Sequence, residues 1–289
     1  MKIVSTTAEV RAAVGSARAA GRTIGFVPTM GALHRGHGSL IAAAKQANGF
    51  VVVSIFVNPL QFNDANDLAA YPTITHADEE LCRELGVDVI LRPTVAEVYP
   101  LGFDTRVEPG DLATNFEGAH RPGHFTGMAT VVLKLLNMVF ADDAYFGRKD
   151  FQQLAIVRRM VEDLNHPTRI HGIDTVREDD GLAMSSRNLK LTPRDRTSAA
   201  RISEALRLVQ STTQQGVNVC NAVESARLFL AEDPAIEIEY LTAADAQSLR
   251  PVDSAAIEVT NDIVILVAAR IGGIRLIDNV ELNPERLTG

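Results

Sequence analysis

Residues 50–57 read Phe-Val-Val-Val-Ser-Ile-Phe-Val, the most hydrophobic and β-branched stretch of the chain. A strand of this composition suits a site covered on both faces, as a parallel strand is when helices flank its sheet. The surrounding sequence supplies the helices. Thr6-Thr7-Ala8-Glu9 has capping-box spacing ahead of the alanine-rich run 8–20, and Gly21 stands where a left-handed C-terminal cap is needed. A buried strand over 23–27, a loop over 28–33 and a helix over about 36–48, ended by Gly49, precede the 50–57 strand. Beyond it the pattern predicts a helix near 77–85, a strand at 87–91, a helix at 127–140, a short strand at 144–146 and a helix at 150–164. Strands separated by helices imply right-handed βαβ crossovers, hence an α/β fold built on a Rossmann-like, doubly wound parallel sheet. Ligand sites in such sheets lie beyond the carboxyl ends of the strands.

The texture changes after about residue 175. A loop over 177–191 leads to amphipathic helices near 193–210 and 217–230, joined by a polar loop over 211–216. Strands of antiparallel character follow at 236–241, 263–270 and 274–282. The expected organisation is a ligand-binding domain over 1–175 and a smaller α+β domain over 176–289 that covers its active site.

Composition narrows the function. The 28 Lys and Arg residues stand against 36 Asp and Glu, a formal net charge of -8, which disfavours nucleic acid and anionic membrane surfaces as partners. The two cysteines, Cys82 and Cys220, lie far apart in no metal-binding spacing, so a disulfide scaffold and a structural zinc are not expected, and a reducing cytoplasm fits. No apolar run approaches the length of a membrane span.

Two segments carry candidate chemistry. Pro28-Thr29-Met30-Gly31-Ala32-Leu33-His34-Arg35-Gly36-His37 lies between a predicted strand and a predicted helix. Histidines three residues apart share one face of the first helical turn, beside its backbone N–H groups and the positive end of its dipole, where phosphate oxygens bind well. Gly36 lets a ligand approach the backbone closely. The same histidines also read as ordinary caps, or as half of a metal site. The second segment, Met184-Ser185-Ser186-Arg187-Asn188, sets two hydroxyls beside a guanidinium, a combination suited to closing over a triphosphate. Alone it reads equally as a helix-capping turn.

Taken together, the HxGH motif and the later Met-Ser-Ser segment resemble the nucleotidyltransferase superfamily. Longer strings narrow the resemblance: PTMGALHRGH, FVNPLQF at 56–62, EGAHRPGHFTGMATVVLKLLN at 117–137, YFGRKDFQQL at 145–154, DGLAMSSRN at 180–188 and RLIDN at 275–279. All look like the pantothenate synthetase (pantoate–β-alanine ligase) family, across essentially the whole chain.

The resemblance implies a two-step, AMP-forming reaction. ATP and pantoate give an enzyme-bound pantoyl adenylate and pyrophosphate; β-alanine then attacks the acyl carbon to give pantothenate and AMP. It implies catalytic roles for His34, His37, Lys149, Ser185, Ser186 and Arg187. ATP contacts fall to Met30, Gly31, Ala32, Leu33, His34, His37, Gly147, Arg148, Lys149, Asp150, Val176, Met184 and Ser185–Arg187. Pro28, Thr29, Gln61, Gln153, Arg121 and His124 fall to pantoate and β-alanine. Mg²⁺ is implied with ATP, with Asp78 as a possible protein ligand, and so is a homodimer. His34, His37, His124, Lys149 and Arg187 would then form a local patch of donors on an acidic protein.

Other expectations are plainer. The stripe Met128, Val131, Val132, Leu135, Met138 reads as core. His76, His166 and His171 read as structural or exposed. Three departures from the family pattern stand out: Gly38 after the second histidine, Arg148 before Lys149, which would make the nucleotide side more basic, and the loop 63–67. Competing readings are an adenylyltransferase acting on a phosphorylated precursor, which would need a phosphate-accepting cluster where this chain has glutamines, and a catalytically silent binding protein. A tRNA-charging enzyme would need a basic face and greater length.

Overall fold

The computed structural model describes residues 1–63, 68–69, 71, 74–252 and 262–282. The chain divides into two compact units, Met1–Arg148 with Gln152–Asp174, and Lys149–Phe151 with the residues from Thr175 onward. Most of the departure loop 63–67 lies outside the described residues.

The first unit is a six-stranded sheet, β1 (Lys2–Val4), β2 (Ile24–Thr29), β3 (Phe50–Ile55), β4 (Val89–Leu91), β5 (Asp143–Gly147) and β6 (Arg169–Ile173), in the order β1-β4-β3-β2-β5-β6. Every pairing is parallel. The chain winds outward from β2 through β3 to β4, then returns to the other side of β2 as β5. The carboxyl end of β2 is therefore the topological switch point, where a crevice opens in folds of this kind.

The apolar run is explained by two separate cores. Phe26, Val52 and Leu91 pack with Val10 and Val14 of helix Thr7–Ala19 and with Leu135 and Leu136 of helix His124–Val139. Their strand neighbours Val27, Val53 and Ile90 pack instead with Ile41 and Ala44 of helix Arg35–Ala47 and Cys82 of helix Thr75–Glu84. Each such side chain contributes about 1.5–3 kcal/mol on burial. The stripe from Met128 to Met138 is buried, as its spacing predicts. The cap signals are also realised: Thr6 and Glu9 form a reciprocal capping box, and Gly21 is left-handed at φ 72°.

Two expectations are corrected and two strands are added. The strand predicted over 23–27 continues through Pro28 to Thr29. Proline is tolerated there because β5 pairs with β2 only at Gly25 and Phe26, so no ladder bond to β5 is lost at Pro28. Strands β1 and β6 are additions: Lys-Ile-Val is three residues at a sheet edge, and Arg-Ile-His-Gly-Ile is only partly buried, so neither carries a strong strand signal. The loop expected over 211–216 is helical as far as Gln214, within helix Pro193–Gln214. Thr212 and Thr213 satisfy their hydroxyls on the Leu208 and Val209 carbonyls one turn back, and Gly216 at φ 87° follows the end of the helix.

The second unit packs helices Pro193–Gln214 and Val219–Ala231 with an antiparallel sheet of β7 (Ile236–Asp245), β8 (Ile263–Ile271) and β9 (Ile274–Leu282). Leu206, Val209, Leu230, Val267 and Leu276 lie in its core. Among the described residues no helix is long and apolar enough to cross a membrane.

Candidate active site

In the first unit the site begins where β2 ends. Gly31 and Ala32 both take left-handed backbone, at φ 87° and 50°. That conformation is easy for glycine but costs roughly 1–2 kcal/mol for alanine. Asp78, almost fully buried, offsets the cost: its Oδ2 accepts from the Ala32 N–H at 3.0 Å and its Oδ1 from the Leu33 N–H at 2.7 Å. Burial pushes the Asp78 carboxyl above its ordinary range, against the opposing pull of the two amides and of Arg92. Asp78 is therefore a brace for the loop. Replacing it with alanine is expected to cost about 2–5 kcal/mol, since two buried amides lose their acceptor. Urea denaturation checks this, and a loss below about 0.5 kcal/mol would reject the brace.

The two histidines act as caps in their own right. His34 is the N-cap of helix Arg35–Ala47, its Nδ1 accepting from the Gly36 N–H at 3.1 Å, while His37 Nδ1 accepts from the His34 N–H at 3.3 Å. The capping alternative is thus realised, and it consumes two of the N–H groups expected to be available to a ligand. It also fixes the neutral tautomer: with Nδ1 accepting on both rings, each proton sits on Nε2. The rings lie 4.2 Å apart between centroids at a 41° tilt. A capping turn carrying two Nε2–H donors can hold an anion with its side chains as well as its dipole.

Close by in the same unit, Gln61 sits in a single 3₁₀ turn, Pro59–Gln61, and is buried. Its Nε2 points at Met30 Sδ, 3.1 Å away, and its Oε1 accepts from Asn58 Nδ2 at 3.0 Å. Asn58, which sequence reasoning passed over inside FVNPLQF, organises the turn. Its Nδ2 also donates to the Gly127 carbonyl, and its Oδ1 accepts from the Leu60 N–H and from the Tyr99 hydroxyl. The one available signal was Asn before Pro, a pairing that favours such side-chain-closed turns.

His124 and Arg121 join this group from below. His124 Nδ1 lies 2.7 Å from the Gln61 carbonyl, so it must carry the proton, leaving Nε2 to accept from Arg121 Nη1 at 3.1 Å. His124 consequently links the Arg121 guanidinium to the Gln61 main chain. Thr29 is also occupied structurally, its hydroxyl donating to the Ser54 carbonyl and accepting from the Gly31 N–H. Gln153 is half-buried, whereas its neighbour Gln152 is buried and holds the Leu112 and Asn115 carbonyls and the Glu117 N–H. Arg148 pairs with the exposed Asp174 at 3.3 Å. His171 lies 2.6 Å from Asp143 and stacks on Tyr145, and His76 is solvent-exposed, as expected for structural and exposed residues.

Gly147 ends β5 in the first unit, and the candidates Lys149, Asp150, Val176 and Met184–Arg187 belong to the second. Lys149, Ser185, Arg187 and Asn188 line one small cleft together with Arg275 and Asp278. Lys149 is largely buried, with its Nζ 4.0 Å from Asp150 Oδ1. Ser185 caps the short 3₁₀ helix Ser186–Lys190 by accepting from the Arg187 N–H at 3.3 Å, so its segment is a capping turn as well as a candidate clamp. Met184 donates its N–H to the Val176 carbonyl, which ties the two expected nucleotide contacts into one hairpin-like piece. Asn188 reaches Glu178 and the Ala183 carbonyl, and Arg196 pairs with Glu178 and Asp180. Burial alone would raise the Glu178 carboxyl, but the Asn188 and Arg196 partners outweigh it and hold the group below its usual range.

A doubly wound parallel sheet with a histidine-capped helix start at its switch point defines a Rossmann-like protein equipped to hold a phosphate-bearing ligand. The family model for pantoate-beta-alanine ligase matches residues 2–281, and the chain belongs to that family. It is similar to the pantothenate synthetase of Agrobacterium fabrum, 46% identical over 99% of this chain and 97% of the relative. The crystal structure of pantothenate synthetase from Thermus thermophilus superposes with a TM-score of 0.92 at 44% identity, covering 98% of this chain and 100% of that one. Pantoate-beta-alanine ligase from Francisella tularensis, complexed with beta-gamma ATP and beta-alanine, gives a TM-score of 0.79 at 37% identity, with 97% of each chain covered.

Proposed function

We propose that this chain joins pantoate to β-alanine at the expense of ATP. The observation that carries the reading is a family match over nearly the whole chain, together with a histidine-capped turn at the sheet's switch point. A carboxylate is a poor acyl donor until one of its oxygens becomes part of a good leaving group. In the first step a pantoate carboxylate oxygen bonds to the α-phosphorus of ATP and the bond to pyrophosphate breaks. In the second, the β-alanine amine bonds to the acyl carbon, AMP leaves with the former carboxylate oxygen, and the nitrogen loses a proton. No protein nucleophile is needed, so catalysis consists of alignment and of stabilising charge as it moves.

In this reading the Nε2–H groups of His34 and His37 donate to phosphate oxygens beside the backbone of Met30–Leu33. Lys149 supplies a point charge and Asp150 accepts from the ribose, with Gly147, Arg148, Val176 and Met184 lining the nucleotide. Ser185, Ser186 and Arg187 steady the departing pyrophosphate. Gln61 and Gln153 take pantoate, an amide being able to donate to a carboxylate and accept from a hydroxyl; Arg121 and His124 hold the Gln61 turn beside Pro28 and Thr29. Mg²⁺ enters with the triphosphate and needs few protein ligands. Asp78 accepts the Ala32 and Leu33 amides and keeps a lone pair on each oxygen that would serve a cation, and no step here runs through the metal. The reading extends to a cytoplasmic homodimer whose smaller unit acts as the cover of the active site, for which sedimentation and limited proteolysis with and without ATP are the checks.

The test is an assay with ATP, Mg²⁺, pantoate and β-alanine, following AMP and pyrophosphate. Equimolar AMP and pyrophosphate that depend on both substrates are expected; no product, or product independent of β-alanine, would overturn the ligase reading. Gln61→Ala is expected to weaken pantoate binding about tenfold, the worth of one well-made hydrogen bond, with ATP binding within about twofold of the parent. Titration of each ligand separately checks it, and equal losses for both would reject the assignment.

A further inference from the structure

The segment Arg275–Asn279 of β9 has no part in the reaction just described, yet two adjacent polar residues in it are buried. Asp278 and Asn279 are 4% and 6% exposed, on a strand whose other buried members, Leu276 and Leu282, are apolar. Successive strand residues project to opposite faces, so the pair reaches two different segments of the chain. Asp278 accepts from both terminal nitrogens of Arg177, at 2.6 and 3.1 Å, and from the Asn279 N–H at 2.8 Å. Arg177 also donates to the Gly181 carbonyl, and so closes the turn that leads into Met184–Arg187. On the other side, Asn279 Nδ2 donates to the main-chain carbonyl of Lys149 at 2.8 Å.

This bond has an unusual target. Lys149 stands in the 3₁₀ turn Arg148–Asp150, yet Lys149–Phe151 group with the second unit although the chain on either side of them belongs to the first. The bond to Asn279 is made within that second unit, to the backbone of the residue whose ammonium shares a cleft with Ser185 and Arg187. A lysine side chain has four rotatable bonds, so where its charge can stand depends first on where its backbone is held. Buried asparagine is a costly way to fill a strand unless its bonds are used, and here its amide nitrogen is used on the Lys149 carbonyl.

We propose that Asn279 is a positioning residue for Lys149, and that β9 sets the geometry of the phosphate-binding cleft by holding Lys149 through Asn279 and the Arg177–Gly181 turn through Asp278. The proposal rests on the reading of Lys149 as a phosphate ligand. Asn279 touches no substrate; it acts through the Lys149 carbonyl.

The test is a double-mutant cycle on the full chain, scored by the rate of pantoate-dependent pyrophosphate release and by thermal unfolding. Asn279→Ala alone is expected to slow that step about ten- to hundredfold, the scale of loss for a small misplacement of a catalytic group, and to raise KM for ATP more than KM for pantoate. In a Lys149→Ala background the same substitution is expected to slow the step no further, because the group it positions is gone. Losses that multiply across the two backgrounds, or a parental rate for Asn279→Ala, would overturn the positioning role. A Lys149→Ala protein at the parental rate would instead overturn the role of Lys149 itself, whatever Asn279 does. If Asn279→Ala does not fold, the cycle is run with Asn279→Asp, which keeps the shape and replaces the amide donor by an acceptor facing the carbonyl; it is judged by the same two outcomes.

Discussion

Gly127→Ala is expected to lower stability by about 1–3 kcal/mol, although helix propensity alone argues the opposite. Gly127 lies inside helix His124–Val139, where alanine is favoured over glycine by about 1 kcal/mol. Packing reverses the sign. A Cβ at this position would collide with the Leu60 carbonyl and come within 2.8 Å of the Gln61 nitrogen. Those are backbone atoms and cannot rotate aside, so the turn or the helix must move, at a cost typical of overpacked cores, about 1–3 kcal/mol. The shift also strains the bond from Asn58 Nδ2 to the Gly127 carbonyl, part of the network that holds Gln61. Pantoate affinity should therefore fall with stability while ATP affinity holds. Equilibrium urea unfolding gives the answer: a Gly127→Ala protein as stable as the parent would show that the close approach is not a constraint.

The second large effect separates two jobs done by one imidazole. His34 caps a helix through Nδ1 and, in the proposed mechanism, donates to phosphate through Nε2. Asparagine is among the best N-cap residues and places an acceptor near the Nδ1 position, but it has nothing at Nε2. His34→Asn is thus expected to change stability by less than about 0.5 kcal/mol, within the range of a well-tolerated cap exchange. Loss of one aligned donor to developing charge typically costs about 10²–10³ in rate, and adenylate formation should slow by that factor. His34→Ala should lose the rate and about 1 kcal/mol of stability together. Single-turnover measurement of pyrophosphate release, paired with thermal unfolding, distinguishes the variants. A His34→Asn enzyme within twofold of the parent rate would remove His34 from the phosphate site.

The parts of this molecule that were legible in its sequence are those fixed by neighbours along the chain. The Thr6–Glu9 box, the left-handed Gly21, the two-faced burial of 50–57 and the position of His34 at a strand-to-helix junction all follow from residues within a few positions of each other. What escaped notice depends on partners brought in by the sheet. Pro28 reads as a strand breaker until β5 is seen to pair only with the residues before it. Arg148 gives no local sign of its ion-pair partner until Asp174 is placed beside it. His124 reads only as a donor at the site until the Gln61 carbonyl is seen to take its Nδ1 proton. Asn58 and Gly127, which together shape the Gln61 turn, lie 69 residues apart, and neither carries a local signal of the other.

The brace on the histidine loop has a temporal implication. The acceptor that steadies Ala32 and Leu33 arrives 46 and 45 residues later in the chain. A growing polypeptide that has emerged only through β3 can already pair β2 with β3 and form helix Arg35–Ala47. It has the Thr29 hydroxyl for the Gly31 N–H but still lacks the acceptor for the Ala32 and Leu33 amides. The β2–β3 core of the sheet is then in place before the histidine loop, and the loop takes its working shape only when helix Thr75–Glu84 docks. Interactions of such separation carry a chain-closure cost that local ones avoid. A pause or truncation in synthesis between residues 55 and 78 would leave a chain with the motif intact and the loop unformed.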